Sequence, residues 1–358
     1  MTMPHLHPGS APAWDPAEDP LDPAPSPALD AMMLLLEREP EWLAERPHRL
    51  FLRARAHPDL PQAVMQQTHR SEFDRLLASG LKPVLREEGL FDACLYLGTP
   101  QREENLANFG RGLLALRPGG LFLCAMPNDL GAGRYEKILR QLAPLVVQFS
   151  KYHARVFGIL LGPEVDRQVL ADLAARGSLR RSESTGFFTC PGVFGWEKID
   201  EGSQLLARSL PEDLTGCGAD LGAGYGYLAH QILLSRKQVA RLDLFEAEEM
   251  ALRAARKNLQ DLGSPAAVGY HWHDVTAGIP VGQYDWIVMN PPFHQGRKRS
   301  LELGQRFVRL AAQGLRRDGV LYMVANRHLP YEAILREVLG KVRPLAETPG
   351  FKVLSSWR

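Results

Sequence analysis

The segment Asn290-Pro291-Pro292-Phe293 carries residue types suited to a planar molecule with an amino group. It follows a short apolar run, which predicts a buried strand, and the prolines end that strand because neither can donate to a sheet ladder. The Asn290 side chain and the Pro291 carbonyl would then accept the amino N–H groups, and Phe293 would stack on the ring. A plain turn is the alternative interpretation, because Asn-Pro pairs mark turns in general.

A glycine-rich loop lies upstream of that segment. Asp220 is followed by Gly222, Gly224 and Gly226, directly ahead of a predicted helix at 228–234. Alternating glycines let the backbone pass close to a ligand, a pattern best known from dinucleotide-binding folds. Asp220 comes two positions before the first glycine, where its carboxylate can pair with the ammonium group of an amino acid.

Polar side chains also end the predicted strands that come after the glycine loop. One strand ends at Glu246, a position where a carboxylate typically holds the two ribose hydroxyls of a nucleoside. Asp274 follows the next strand and can accept a hydrogen bond from an adenine amino group, and Asn290 ends the strand after that. With Asp220 in first place, this order fits S-adenosylmethionine followed by its methyl acceptor better than it fits NAD.

An earlier part of the chain repeats the same succession of elements. The predicted strand at Phe91 matches the one at Tyr284 and the turn at Arg117 matches that at Arg317, with an offset of 193 to 200 residues throughout. Any two α/β halves share some spacing of this kind, but the near-constant offset favours an internal duplication. The first copy has Leu97–Pro100 in place of Asn-Pro-Pro-Phe and lacks the glycine loop. We therefore expect one site, in the second copy.

The duplication predicts the organisation of the whole chain. Within the first copy, the stretch Gln62–Leu77 is predicted to be helical, and a short helix around Ala31–Leu36 is expected to dock on the domain after it. The predicted segments are a Pro-rich arm with that short helix at 1–48, a degenerate domain at 49–181, a linker at 182–198 and a catalytic domain at 199–358.

Composition excludes several classes of protein. The chain has 358 residues and a formal net charge of +1, so it is not an electrostatic nucleic-acid binder as a whole. Its four cysteines are widely spaced, which argues against a disulfide framework or a zinc site and fits a reducing cytosol. No apolar run approaches the length of a membrane span, and no secretory signal is apparent. We expect a cytoplasmic monomer.

His271 and His273 raise the question of a metal site. They flank Trp272 on a predicted strand, and we expect them to face opposite sides of it. No metal site is therefore predicted.

The second half of the chain resembles the bacterial ribosomal RNA (guanine-N2)-methyltransferases of the RsmC/RlmG type, which are class I methyltransferases. That family also has a degenerate first domain without a cofactor site, so the resemblance implies an α/β fold of two tandem Rossmann-like domains. The resemblance is carried by the glycine loop, Glu246, Asp274 and the segments Gly202–Leu206, Asn290–His294, Val324–Asn326, Leu329–Tyr331 and Phe351–Val353.

The resemblance implies methyl transfer from S-adenosylmethionine to the exocyclic N2 of a guanine in ribosomal RNA, with 16S rRNA favoured. It implies the cofactor-binding residues Asp220, Gly222, Gly224, Gly226, Glu246, Asp274 and Asn290. The implied catalytic segment is Asn290, Pro291, Pro292 and Phe293, and the implied RNA-facing residues are Phe293, His294, Arg297, Lys298 and Arg299, the last three as a loop. The partner would be ribosomal RNA or a ribosomal subunit.

Two other functions remain open at this point. Asn-Pro-Pro segments also serve methyltransferases that act on adenine N6 or on a protein glutamine, although a tyrosine at position 293 would have favoured those. A non-catalytic RNA-binding protein that keeps the same fold is the second alternative.

Overall fold

The computed structural model describes residues 26–291 and 297–358. The α-helices in these ranges, α1 to α11 in chain order, are Pro27–Arg38, Glu41–Ala44, Arg70–Ala78, Arg102–Leu114, Ala132–Leu142, Arg167–Ala175, Glu201–Ser209, Tyr227–Ser235, Glu249–Leu259, Arg297–Gly314 and Tyr331–Leu339. The strands, β1 to β15, are Arg49–Leu52, Val64–Gln66, Phe91–Leu97, Leu116–Pro127, Leu145–Lys151, Ala154–Leu160, Arg180–Arg181, Phe188–Thr189, Gly216–Leu221, Val239–Glu246, Ala267–Trp272, Tyr284–Met289, Leu315–Asn326, Lys341–Glu347 and Phe351–Trp357.

Strands β1–β6 and β9–β15 form two large sheets with matching topology apart from the additional edge strand β11 of the second, and β7 pairs with β8 in a separate two-stranded sheet. The first has the order β2-β1-β3-β4-β6-β5 and the second has the order β11-β10-β9-β12-β13-β15-β14. In each sheet the last hairpin is antiparallel and the other strands are parallel. Helices cover both faces, so the parallel strands are buried and read as apolar runs. The predicted α/β fold with two tandem Rossmann-like units is confirmed; we call them the first unit and the second unit.

The two units share details that a chance likeness would not produce. The pairing of β3 with β4 shifts register between Phe91 and Ala93, and the pairing of β12 with β13 shifts between Tyr284 and Trp286. These are corresponding positions in the two units. The register therefore supports the inferred duplication at the level of single residues.

An ion pair is repeated as well. Asp92 accepts from the backbone amide of His48 and from Arg117, at 3.0 and 2.6 Å. Asp285 accepts from the amide of Cys217 and from Arg316, at 2.7 and 2.5 Å. Arg316, and not Arg317, is thus the counterpart of Arg117, which corrects the sequence match by one residue.

The structural similarity between the two units begins nearer the N-terminus than the similarity seen in the sequence. Leu52 of the first unit is equivalent to Leu221 of the second. Leu52 pairs with Tyr96, and Leu221 pairs with Met289, which is the counterpart of Tyr96 in the second unit. Helix α1 packs on the first sheet as α7 packs on the second, with Leu29, Met32 and Leu35 among its buried residues. The short helix predicted around Ala31–Leu36 is thus the helix Pro27–Arg38, which packs on the sheet of the first unit as expected.

Two local predictions were wrong. Within the stretch predicted as one helix at 62–77, Val64–Gln66 forms strand β2 and the helix begins only at Arg70. Val64–Gln66 pairs with β1 and buries Met65, so tertiary pairing overrides the local pattern. Arg297–Arg299, predicted as a loop, begins helix α10, in keeping with the high helix propensity of arginine and lysine.

The two units meet through the ends of their second strands. The amide of Arg70 donates to the Ala247 carbonyl at 2.8 Å, and the amide of Glu249 donates to the Thr68 carbonyl at 3.1 Å. Between these bonds His69 and Glu248 form an antiparallel bridge. Arg70 is equivalent to Glu249 in the duplication, and Thr68 is equivalent to Ala247. The two hydrogen bonds are therefore reciprocal, as in a two-fold symmetric interface.

Candidate active site

The carboxyl edge of the second sheet brings the predicted side chains together. In the order β11-β10-β9-β12 the strand ends carry Asp274, Glu246, Asp220 and Asn290 in neighbouring positions. The chain runs outward from β9 to β11 and then returns to the other side of β9 with β12. The crevice at such a reversal is where open α/β sheets bind ligands.

Asp220 is a fully buried acid near the carboxyl end of β9. Its side chain is fully buried, and neither carboxylate oxygen has a hydrogen-bond partner among the described residues. Burial, assisted by the charge of Glu246, raises its pKa to about 8. Burying an ionised carboxylate of this kind costs free energy unless a cation pairs with it. The ammonium group of an amino-acid ligand would supply that cation.

Glu246 fixes the glycine loop to the end of β10. Its carboxylate accepts from the amide of Gly224 at 2.7 Å and from the amide of Glu248 at 2.8 Å. Burial raises its pKa, while these amide bonds lower it. Each oxygen has capacity for a further donor, as an acid that binds ribose hydroxyls requires.

Asp274 has a local structural role that the sequence did not indicate. One of its oxygens, Oδ1, accepts from both the amide and the hydroxyl of Thr276 at 2.8 Å, which caps the short turn Val275–Ala277. This leaves the other oxygen, Oδ2, for the predicted contact with adenine.

Asn290 is held in one orientation by helix α7. Its amide nitrogen donates to the Asp200 carboxylate and to the Ser203 hydroxyl, both at 2.8 Å. A carboxylate can only accept, so the nitrogen must face Asp200 and the amide oxygen must point the other way. The acceptor that the chemistry needs is therefore positioned before any substrate arrives.

A cleft lies between the glycine loop and Asn290. Its described lining includes Asp200, Ser203, Asn290, Gly222 and Gly224, together with the loop residues Phe194, Gly195, Ala223, Tyr225, Tyr227 and Leu228. Glu246 and Asp274 are not part of this lining and continue the edge of the sheet beside it.

Gly226 has a different role from the other two glycines. It does not line the cleft, and a Cβ at this position would lie 3.0 Å from the Cβ of Ala255 on α9. Its φ of +84° also lies in the left-handed region. The third glycine therefore permits the sharp entry into α8 and its close packing on α9.

Comparisons with known proteins point to one family. The profile of the methyltransferase small domain family matches residues 184–355. The ribosomal RNA small subunit methyltransferase C of Klebsiella pneumoniae is 34% identical over 255 residues, covering 71% of each chain. The same enzyme of Salmonella choleraesuis is 33% identical over 71% of each chain.

The chain belongs to the ribosomal RNA small subunit methyltransferase C family.

A solved structure shows the same fold over nearly the whole chain. The T. thermophilus 16S rRNA methyltransferase RsmC, in complex with AdoMet and guanosine, superposes with a TM-score of 0.76 at 24% identity. The match covers 94% of this chain and 92% of that one. This likeness shows the fold, and the curated relatives confirm the family predicted from the sequence and the class of enzyme, a methyltransferase.

Some predicted residues cannot be placed. Pro292, Phe293 and His294 lie outside the described residues, and the roles predicted for them stay predictions. Arg297, Lys298 and Arg299 begin helix α10, close in sequence to Asn290. Pro291 is described and buried at the end of β12.

Sequence reasoning missed the residues that hold the site together. Asp200 and Ser203, the acceptors for Asn290, form the first turn of α7, where Asp200 also caps the helix by accepting from the Ser203 amide at 2.7 Å. An aspartate directly before a helical run is a helix-start signal. It would have located the cap, but not the contact with a residue 90 positions away.

The predicted linker 182–198 also contributes to the site. Phe187 packs against Tyr225 and Tyr227 of the glycine-loop region, with ring centroids 5.6 and 5.7 Å apart. Asn258 on α9 donates to the carbonyls of Phe188 and Tyr225, at 2.9 and 2.8 Å. The linker thus forms one wall of the cleft instead of being a free connection.

Contrary to the prediction, His271 and His273 do not face opposite sides of the strand. His271 stacks on Phe245 with a centroid distance of 4.6 Å, and His273 meets the same ring edge-on at 5.9 Å. Both therefore lie on one side, because residues two apart on a strand share a face. Among the described residues no group of His, Cys, Asp or Glu is arranged to hold a metal ion.

The helices of both units pack against the sheets and form part of the α/β core. Within the described ranges, no helix combines the length and apolar character required to cross a bilayer.

Proposed function

We propose that the protein transfers a methyl group from S-adenosylmethionine to the exocyclic N2 of a guanine in 16S ribosomal RNA. The substrate class comes from the family, whose curated members carry the name ribosomal RNA small subunit methyltransferase C. The cofactor predicted from the sequence is that of the family and is confirmed. The structural observation that carries the proposal is the fixed orientation of Asn290 at the crevice.

The residues fit the cofactor. The buried carboxylate of Asp220 would bind the ammonium group, Glu246 would bind the ribose hydroxyls and Asp274 would bind the adenine amino group. Gly222 is exposed, and the space beside Gly224 is open to a ligand. S-adenosylmethionine supplies an electrophilic methyl group.

The chain itself prepares the acceptor. A guanine amino lone pair is delocalised into the ring, so the nitrogen is a poor nucleophile. Hydrogen bonds from its N–H groups to the Asn290 amide oxygen and the Pro291 carbonyl would favour a more tetrahedral nitrogen and fix its direction of approach. No conventional general base is required, and we assign none.

The proposal extends to location and assembly. Ribosomal subunits are cytoplasmic, so we propose that the protein acts there, as a monomer. The basic residues Arg297, Lys298 and Arg299 would face the RNA, together with Phe293 and His294. We propose domain boundaries at residues 49, 182 and 199. Helix α1 and the linker lie outside these domains in sequence but pack on the units beside them.

Nucleoside mass spectrometry of ribosomal RNA tests the proposal. A strain without this protein should lose N2-methylguanosine from 16S rRNA, and the purified protein with S-adenosylmethionine should restore it. Offering naked 16S rRNA and assembled small subunits separately identifies the substrate form. Loss of N6-methyladenosine, or of methylglutamine from a protein, would instead support the alternatives that share Asn-Pro-Pro. An unchanged nucleoside profile together with RNA binding would support a non-catalytic role.

A further inference from the structure

An arginine of the first unit reaches into the cofactor side of the second. Arg53 follows strand β1, and its guanidinium lies 3.0 Å from the Glu248 carboxylate of the second unit. The same side chain donates to the Thr68 hydroxyl at 2.7 Å and lies 3.5 Å from Glu104. The pair is largely buried, with Arg53 and Glu248 exposed by 23% and 16%.

The duplication gives this arginine a definite place. Leu52 corresponds to Leu221, so Arg53 stands where the second unit has Gly222, the first glycine of its loop. Both residues have positive φ angles, +56° and +76°, although such an angle is strained for arginine. At this first loop position the first unit thus keeps the left-handed backbone conformation and directs a cation across the interface.

Glu248 connects this cation to Glu246. The amide of Glu248 donates to one oxygen of the Glu246 carboxylate at 2.8 Å, and Gly224 donates to the other at 2.7 Å. The Glu248 side chain also caps helix α9. Although burial opposes it, the charge of Arg53 helps to hold the pKa of Glu248 below its usual value. An unbroken series of contacts therefore runs from Arg53 to the carboxylate assigned to the ribose.

We propose that Arg53 is a positioning residue for cofactor binding, which acts from the first unit by fixing Glu248 and, through it, the ribose-binding carboxylate of Glu246. The inference rests on the role of Glu246 in the proposed function. It gives the first unit, which lacks the acids of a cofactor site, a defined part in the cofactor site of the second.

The expected effect is a loss of affinity and not a loss of fold. Arg53→Met keeps most of the side-chain volume but leaves the Glu248 carboxylate without its cation. Arg53, Glu104 and Glu248 line a cavity of about 320 Å³ between the units, which is large enough for water to solvate that carboxylate. The Glu248 turn should then shift, and Glu246 with it.

Calorimetric titration of the full-length protein tests this with two ligands. The first is S-adenosylhomocysteine, and the second is its analogue without the two ribose hydroxyls. In Arg53→Met we expect the affinity for the first ligand to fall about tenfold, as for one charge-assisted contact, while the affinity for the analogue stays within about twofold. The preference for the ribose hydroxyls should therefore shrink, which a purely stabilising contact would not cause.

Three variants complete the design. Arg53→Lys keeps a cation and should recover part of the preference. Arg53→Met combined with Glu248→Gln removes the unpaired charge, and should recover it more fully. The matched control is Arg111→Met, which removes an ion pair of the first unit with Glu87 at 2.7 Å and should leave the preference unchanged.

Two results would overturn the inference. The first is a preference that stays at the wild-type level in Arg53→Met, whether both affinities fall equally or neither falls, which would mean that the arginine only stabilises the interface. Glu246→Gln separates this failure from that of the proposed function. If Glu246→Gln does not reduce the preference, the assignment of Glu246 to the ribose is wrong and the inference falls with it.

Discussion

The two units are alike at one edge of the sheet and different at the other. At the amino edge, Asp92 and Asp285 each hold an arginine and a backbone amide at the start of the first strand of the unit. At the carboxyl edge, Phe51 stands where the second unit has Asp220, and Gln67 stands where it has Glu246. The shared edge serves the fold, and the divergent edge serves the chemistry.

The carboxyl edge of the first unit is closed by its own hydrogen bonds. Asn105 accepts from the Tyr96 hydroxyl at 2.6 Å and from the Thr99 amide at 2.8 Å, and donates to the Thr99 carbonyl. Gln67 donates to the Ala54 carbonyl and accepts from two amides. In the second unit neither Asp220 oxygen has such a partner among the described residues, and the contacts of the Asn290 nitrogen turn its amide oxygen away from Asp200. A binding edge is thus recognised by polar atoms that the fold leaves unsatisfied.

The largest effect is expected for Asn290→Ala. It removes the amide oxygen that orients the reacting nitrogen, so turnover should fall on the order of a hundredfold or more. Affinity for S-adenosylmethionine should stay within a few-fold, as measured by calorimetry. Asn105→Ala is the control in the first unit, since it should lower the melting temperature without lowering the turnover of the folded enzyme. Near-normal guanine methylation by Asn290→Ala would mean that the segment is only a turn.

Asp220→Asn should weaken cofactor binding by roughly tenfold to a hundredfold, because a charge-assisted hydrogen bond contributes about 1.5–3 kcal/mol. Burial raises the pKa of Asp220 to about 8. In wild type the carboxylate must ionise to bind the ammonium group, so affinity should rise toward pH 8 by up to about tenfold per pH unit. The variant should lack this rise.

The same acid makes the apo protein less stable as the pH rises. Since the folded-state pKa lies above the ordinary value of 3.8, the folded protein holds a proton that the unfolded chain has released. Between about pH 4 and pH 8 this lowers the free energy of unfolding of wild type relative to Asp220→Asn. Parallel denaturant titrations at pH 5.5 and pH 8.5 measure it, and equal pH dependence in the two proteins would contradict the burial of an unpaired acid.

Asp200→Ala should have a smaller effect, a few-fold to about tenfold on turnover, because Asn290 loses one of two acceptors. Asp200→Asn keeps an acceptor and should restore most of the rate. The first unit offers a control in Asp166→Ala, which removes the equivalent kind of helix cap from α6. Both alanine variants should lose about 1 kcal/mol of stability, and only Asp200→Ala should lose rate. Equal rates would show that Asp200 does no more than cap α7.

The last prediction is that the first unit binds no cofactor. The first unit lacks both acids and the glycine loop, so the full-length protein should bind one S-adenosylmethionine per chain in a calorimetric titration. No weaker second event should remain when Asp220→Asn is titrated at high cofactor concentration. A second stoichiometric site would show that the first unit has been misinterpreted.

The sequence by itself determined much of the candidate site. Asp220, Glu246, Asp274 and Asn290 each lie at or just beyond the end of a predicted strand, and alternation of strands with helices places such ends at one edge of a parallel sheet. The glycine spacing and the repeated offset were also visible in the chain. These features are local or periodic, so they are present before any tertiary contact is known.

Only the tertiary structure decided how those residues are held. Asn290 is oriented by Asp200, 90 residues away, and Glu248 meets Arg53 across 195 residues. Strand β2 exists because it pairs with β1, although its local pattern favours a helix. Such contacts depend on the packing of one unit against the other and of α7 against the sheet edge. Sequence spacing determines which side a residue faces, whereas its partner is determined by elements that fold against it from elsewhere in the chain.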